Sequence, residues 1–400
     1  MHTKRFSVRV FSIAVVGLLS LMAIAGPSAQ AQTFTTLHRF AGESGGGNPY
    51  AGVIQGSDGT LYGTTYFGGA FPYYGEVYRL DGAGKATRLH SFTHNGTDGL
   101  YPYTPLVRDD DGTLYGTTNA GGTGDYGTVF KIDSAGRETV LHEFVGFDGC
   151  NPVQGLIRDK SGSLYGTASG CGFGLYGTLF KIDNAGNFKL LHTFEGPPSD
   201  GGYPLFGHLT MDALGNIYGT TTQGGSRECG GYGCGTVYKL GDKRGYSILY
   251  TFAGGTSDGC TPEGTVLEDS AGNFYGTTRE CGSHGDGTIW KLNTNHVETA
   301  LHSFAGGSSD GCYPYGGVAE DAEGNFYGLT NGCGANNDGA LYEFSGGKLS
   351  LLHSFDETDG EYPMGEVLRT ADGTLFGTAG YGATVNCNGV GCGTVWSYVP

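Results

Sequence analysis

Three groups of residues in this chain are chemically capable by kind and by separation. The ten cysteines are the most ordered of them. Cys150, Cys260 and Cys312 are each followed 21 positions later by a partner, Cys171, Cys281 and Cys333, while Cys229/Cys234 and Cys387/Cys392 lie five apart. Members of each pair are present or absent together, so five disulfides are expected at those pairs. All ten fall in the longer inter-strand loops, and these are expected on one face, where a ligand would be held. Metal ligation is the rival, but zinc sites favour closer Cys spacings or neighbouring His pairs, and neither occurs. Histidines 38, 90, 142, 192, 302 and 353 recur in Leu-His-x-Phe runs. One copy per repeat separates them, so structural roles are expected. Asp98, Asp148, Asp258 and Asp310 precede glycine ahead of loop prolines. They read as turn-forming residues or, alternatively, as calcium ligands. No other cofactor is called for.

The second group is catalytic in type. One column of aligned copies reads Gly52, Pro105, Gly155, His208, Thr265, Gly317, Glu366. His208 and Glu366 break it and could serve as acid and base of a polysaccharide-active hydrolase or lyase. Drift within one column explains them more simply. No Gly-x-Ser-x-Gly, His-Glu-x-x-His or phosphate-binding loop accompanies them. The third group is aromatic: Tyr101, Tyr103, Tyr203, Tyr313, Tyr315 and Tyr362 flank the loop prolines, and Arg279 lies in a neighbouring loop. Flat rings beside polar groups suit stacked sugars and also protein interfaces, although packing onto the blade is an equal alternative. The expectation is a binding or scaffold module for a glycan or an extracellular or envelope protein, rather than an enzyme.

The elements that must position these residues follow from composition. There are 78 glycines and 13 prolines in 400 residues, with 26 Tyr and 22 Phe to build a core. No Gly-X-Y register runs through the chain, and good helix formers are sparse. Three short runs recur seven times at a period of about 52 residues: Leu-His-x-Phe from Leu37, Leu-Tyr-Gly-Thr-Thr from Leu61, and Gly-Thr-Val-Phe-Lys from Gly75 or Gly127. With a looser fourth run after each loop proline, the arithmetic is four strands per repeat. The chain begins with a Leu-His-x-Phe strand and ends one strand short of a blade. An all-β, seven-bladed β-propeller of four-stranded antiparallel blades is therefore expected, with the N-terminal strand completing the last blade. An open solenoid, which would leave bare edges, is the alternative.

This repeat resembles the GloVer tandem repeat of exported bacterial proteins over residues 33–400. The resemblance implies export and a repeat β architecture and carries no molecular activity. Residues 1–31 read as a signal peptide: Lys4, Arg5 and Arg9, an apolar run from Val10 to Ala25, then Ala29-Gln30-Ala31. Residues 32–400 then form one domain, secreted or periplasmic, without membrane insertion after cleavage. The formal net charge of −17 becomes −20 once the basic leader is removed. Such a surface repels nucleic acid, whose binding needs Lys/Arg contacts to phosphate.

Overall fold

A strand that is short, apolar and half buried cannot stand alone; it must stack against a copy of itself. The seven repeats do so as seven blades around one axis in the computed structural model. It describes residues 32–400 apart from 43–44, 71–72, 242–244, 384–386 and 388–390; the expected leader at 1–31 lies outside the described residues. Blades 1 to 6 run from Ile54 to Ser91, Val107 to Glu143, Ile157 to Thr193, Thr210 to Thr251, Leu267 to Ser303 and Ala319 to Ser354. Blade 7 takes Leu368–Arg369, Leu375–Ala379 and Thr394–Val399, and Thr33–Arg39 adds its outermost strand antiparallel to Thr394–Val399. The two chain ends thus share a sheet, and the ring closes.

The recurring motifs have one shared purpose. Every Leu-His-x-Phe phenylalanine, from Phe40 to Phe355, is wholly buried. Each meets, edge to face or tilted, the aromatic of the third strand in the next blade: Phe40 with Tyr78 at 5.1 Å, Phe92 with Phe130 at 5.2 Å, Phe252 with Trp290 at 5.8 Å, Phe355 with Trp396 at 5.7 Å. That third-strand ring lies over the Tyr-Gly-Thr glycine of its own blade. A Cβ on Gly63 would fall 2.5 Å from the Tyr78 hydroxyl, and one on Gly116 would fall 2.6 Å from the Phe130 ring. Glycine is there for space. The core is accordingly seven clusters, one at each seam, such as Val77, Phe92, Leu106, Leu114 and Phe130 between blades 1 and 2. Burying each large side chain stabilises the seam by roughly 1.5–3 kcal/mol.

Threonines add polar ties between blades. The first Thr of Tyr-Gly-Thr-Thr donates its hydroxyl to the innermost segment of the next blade: Thr117 to the Pro152 carbonyl at 3.1 Å, Thr277 to Gly316 at 2.7 Å, Thr378 to Ala51 at 2.9 Å. A bulge not foreseen from the sequence interrupts every outer strand at the Leu of Leu-His-x-Phe, as between Val140 and His142. Bulges re-aim side chains, and this one turns each histidine toward the following blade.

Candidate functional site

The aromatic residues expected to bind a ligand owe their position to one backbone feature. All seven residues before a loop proline have left-handed φ: Asn48 58°, Tyr101 60°, Asn151 53°, Tyr203 54°, Thr261 58°, Tyr313 57° and Tyr362 53°. Side chains rarely adopt this region, and a following proline disfavours helical backbone further. Hydrogen bonds hold it in place. The Tyr313 amide donates to the Asp286 carbonyl of the preceding loop at 2.9 Å, while its own carbonyl accepts from Asn331 at 3.1 Å. Tyr203 is tied in the same way to Tyr176 and Thr222. The next residue, proline, packs on the Gly-Thr glycine of the previous blade, as Pro314 does on Gly287. Pinned from both sides, the pre-proline backbone leaves the rings of Tyr313 and Tyr362 about 40% exposed.

The copies differ in the residue after each loop proline: Tyr50, Tyr103, Val153, Leu205, Glu263, Tyr315, Met364. Tyr103 of blade 2 reaches Phe206 of blade 4 at 5.4 Å, and Phe206 reaches Tyr315 of blade 6 at 5.8 Å. Contacts among non-neighbouring blades mean that these rings lie across the axis. Tyr50 continues the layer, 5.1 Å from Tyr103, and its hydroxyl bonds that of Tyr381 at 2.6 Å. Phe206 gets there because blade 4 has one extra residue between its proline and Leu209. Tyr101 is drawn into this layer too, stacked on Tyr66 at 5.0 Å.

Two residues further along the chain, the inner segments touch backbone to backbone. Gly155 donates its amide to Gly207 at 2.7 Å, and a Cβ on Gly52 would meet the Glu366 carbonyl at 2.7 Å. This crowding explains the glycines of the column that contains His208 and Glu366. The Thr265 hydroxyl accepts from the His208 amide and donates to the Glu366 carboxylate, which also accepts from the Thr265 amide at 3.1 Å. The His208 ring faces the Leu156 carbonyl at 3.3 Å. These two residues therefore tie inner segments together, and they do not join Arg279 in one site. A cavity of about 290 Å³ begins beside Thr265 and Glu366 and follows the inner strands toward Glu268 at the turn end.

Arg279 belongs instead to a pocket of about 510 Å³ on the loop face, lined by Arg279, Glu280, Cys281, Gly285, Tyr313, Tyr315 and Asn331. Its guanidinium lies 4.9 Å from the Tyr315 ring centre, 3.7 Å from Glu263 and 3.6 Å from Glu280. Glu263, on the axis side, is 2% exposed, and its Oε2 has no hydrogen-bond partner. Burial pushes its carboxyl up to about 8, against the pull of Arg279. Three of the expected binding residues, Arg279, Tyr313 and Tyr315, thus converge. Tyr203 packs at 5.4 Å on Tyr176, and Tyr362 at 5.9 Å on Tyr381, away from this pocket. Glu263 was missed, although it is the one charged residue in the column after the loop prolines. Also missed were four exposed apolar side chains in the loops of blade 3, Val145, Phe147, Phe173 and Leu175, of which Phe147 and Phe173 lie 6.1 Å apart.

Three of the four Asp-Gly carboxylates considered for calcium, Asp148, Asp258 and Asp310, are paired with a histidine or tyrosine of the outer strand. His142 bonds Asp148 at 2.9 Å, His302 bonds Asp310 at 3.2 Å and Tyr250 bonds Asp258 at 2.9 Å, and each Asp also caps a loop amide. Burial opposes ionisation of Asp148 and Asp310, yet the histidine and amide bonds hold both below the usual carboxylate range. Only repeat 1 lacks the Asp, and there His38 turns to the Gly84 carbonyl at 3.2 Å.

The ten cysteines form five disulfides, 150–171, 229–234, 260–281, 312–333 and 387–392. Those sulfurs are unavailable to a metal. Their depth differs, and two of them lie deepest. Cys234 and Cys392 are 1% and 0% exposed and belong to the core: Cys234 packs with Val237 and Phe252, and Cys392 with Phe40 and Val395. The reason is their position directly before Gly235 and Gly393, which open the third strand. That position lies under the next repeat's proline loop. The Cys234 carbonyl accepts the Thr261 amide at 2.9 Å, and the Cys392 carbonyl accepts the Asn48 amide at 2.8 Å. Cys234 and Cys392 therefore anchor their loops from below and offer nothing to a ligand. Cys150, Cys260 and Cys312 are buried as well, while their partners Cys171, Cys281 and Cys333 are partly exposed.

Comparisons with known proteins bear on the fold and the family. The structure is similar to the extracellular domain of BT4673 from B. thetaiotaomicron, described as a candidate one-component system, with a TM-score of 0.57 and 11% identity over 89% of this chain. It is also similar to the extracellular domain of BT3049 from B. thetaiotaomicron, described as a candidate hybrid two-component system, with a TM-score of 0.55 and 14% identity over 92% of this chain. The chain spans 39% and 41% of those two proteins' lengths. No curated protein matches the sequence. With residues 27–232 and 227–400 both matching its repeat, the chain belongs to the Gloeobacter/Verrucomicrobia repeat family.

Proposed function

We propose that the protein is an exported binding propeller whose loop face holds a glycan in the pocket between blades 5 and 6. The observation that carries this reading is the convergence of Arg279, Glu280, Asn331 and the rings of Tyr313 and Tyr315 around one cavity of about 510 Å³. A sugar ring stacks on an exposed tyrosine through its C–H face, while its hydroxyls accept hydrogen bonds from guanidinium and amide N–H groups and donate to the carboxylate. The wall is rigid, because the Cys260–Cys281 disulfide and the Tyr313 staple hold it. Few side chains need ordering when a ligand binds.

Five disulfides suit an oxidising compartment outside the cytoplasm, and no described helix is long and apolar enough to cross a membrane. The two B. thetaiotaomicron domains are extracellular by description, and a propeller of this kind on the outer side of a cell fits a binding role. A glycan array, followed by calorimetry with the best hit, tests the reading. Arg279→Ala and Tyr313→Ala are each expected to weaken binding tenfold or more. Binding to no glycan, with capture of an envelope protein that both substitutions abolish, would move the ligand class from sugar to protein. Binding indifferent to both substitutions would remove the site.

A further inference from the structure

The six histidines of the outer strands are not equivalent. His142, His192, His302 and His353 each bond the Asp of the following loop at 2.8–3.2 Å. For three of them an aromatic residue of the next outer strand covers the ring: Phe188 stacks on His142 at 3.8 Å, Tyr246 on His192 at 3.7 Å and Phe34 on His353 at 3.6 Å. At the seam of blades 1 and 2, the residue in that covering position is Glu138. Here the His–Asp pair is opened. His90 Nε2 lies 3.6 Å from Asp98 Oδ1, and both His90 Nε2 and Glu138 Oε1 are buried without a hydrogen-bond partner. His90, Asp98 and Glu138 each present one ligand atom, and these atoms lie within 4.8 Å of one another.

We propose that this His-Asp-Glu cluster binds a divalent transition-metal cation of the zinc type. One imidazole nitrogen and two carboxylate oxygens form a donor set zinc accepts, and metal–ligand bonds of about 2.0–2.1 Å place neighbouring ligand atoms roughly 3.4 Å apart. The His90–Asp98 separation of 3.6 Å matches that spacing rather than a hydrogen bond. The second oxygen of Asp98 accepts the Thr93 amide at 2.8 Å and hydroxyl at 2.9 Å, so the carboxylate is already oriented as a ligand. The seam of blades 4 and 5 supplies an internal contrast. Glu298 occupies the same position there, but Tyr250 replaces the histidine and donates to Asp258 at 2.9 Å, closing the pair. The cation would join two blades in the part of the ring that carries no cysteine, since the first is Cys150.

Purified protein stripped with EDTA and titrated with Zn²⁺ is the test, with Co²⁺ as the spectroscopic probe. About one ion per chain is expected, with a rise in Tm and a visible Co²⁺ band. His90→Gln should weaken binding at least tenfold. Glu138→Phe, which copies the His142–Phe188 arrangement, should abolish it while the circular dichroism stays unchanged. His142→Gln, one seam away, should bind as wild type. The proposal is overturned if the unaltered protein binds neither ion, or if it binds one with affinity and spectrum unchanged in both His90→Gln and Glu138→Phe.

Discussion

Two arcs of the ring secure their loop face differently. Blades 3 to 7 each carry one disulfide, whereas blades 1 and 2 contain no cysteine. In the cysteine-free arc, aromatic packing and a longer ladder take over. Tyr66 stacks on Tyr101, Tyr50 packs on Tyr103, and the strand Leu114–Gly121 extends to eight residues to pair with Gly99–Pro102. The equivalent strand in blade 5, Phe274–Thr278, stops at five, and Cys260–Cys281 then ties its loops covalently. Both devices answer one physical need: a loop held in left-handed backbone before proline stays there only if its surroundings over-determine it.

Removing the ring that joins the two arcs is the most severe test of this contrast. Tyr103→Ala should cost roughly 3–4 kcal/mol, because Tyr50, Tyr66 and Phe206 all lose a partner. Urea unfolding measures this, and a loss below about 1 kcal/mol would mean the aromatic layer is not a structural tie. Replacing Cys260 and Cys281 together with alanine should cost about 2–3 kcal/mol by the loop-closure argument. Hydrogen exchange should then rise in the loops of blade 5 and stay unchanged around Tyr101; exchange that rises everywhere would erase the distinction between arcs.

A third test concerns pH. The Glu263 carboxyl is raised to about 8 in the fold, above the roughly 4.3 of an unfolded chain. Between these values the native state binds more protons than the unfolded state, so this group's contribution is fully present below about pH 4 and is lost as pH rises through 8. Glu263→Gln has no charge to bury. It should match wild type in Tm near pH 4 and exceed it above pH 8, by a few degrees. A difference that is constant from pH 4 to 9 would contradict this. The smallest effect is expected for Tyr313→Gly. Relief of the left-handed backbone should offset the lost packing to within about 1 kcal/mol, while glycan affinity falls as in Tyr313→Ala. A large destabilisation would show that the ring's packing outweighs its backbone strain.

Much of this arrangement could be read locally. The His–Asp pairs were within reach, since the one repeat lacking Asp-Gly, at Gly47-Asn48-Pro49, is also the one whose His38 turns elsewhere. Glu263 could have been found by aligning the column after the loop prolines instead of the column that contains His208. Cysteine spacing revealed the pairs but not their depth, because Cys234 and Cys392 are covered by a loop of the next repeat. The bulge at the Leu of Leu-His-x-Phe had no such signal, because a bulge changes register without changing residue type. His208 and Glu366 looked catalytic because they are charged or titratable in a column of glycines. That column is crowded by backbone, and Thr265 engages both residues.

Repetition alone was enough to specify the number of blades, the strands in each, the closure by Thr33–Arg39 and the cysteine partners. These depend on period and copy number, which the chain displays seven times over. Three features came only with folding: Tyr103, Phe206 and Tyr315 meet across the axis, Arg279 lies over Tyr315 beside a buried Glu263, and His90 faces Glu138. Apart from the Arg279–Glu263 pair, which stays within blade 5, each of these contacts crosses from one blade to another. It is set by the curvature of the closed ring and, at Phe206, by a single extra residue, and no period within one copy contains that information.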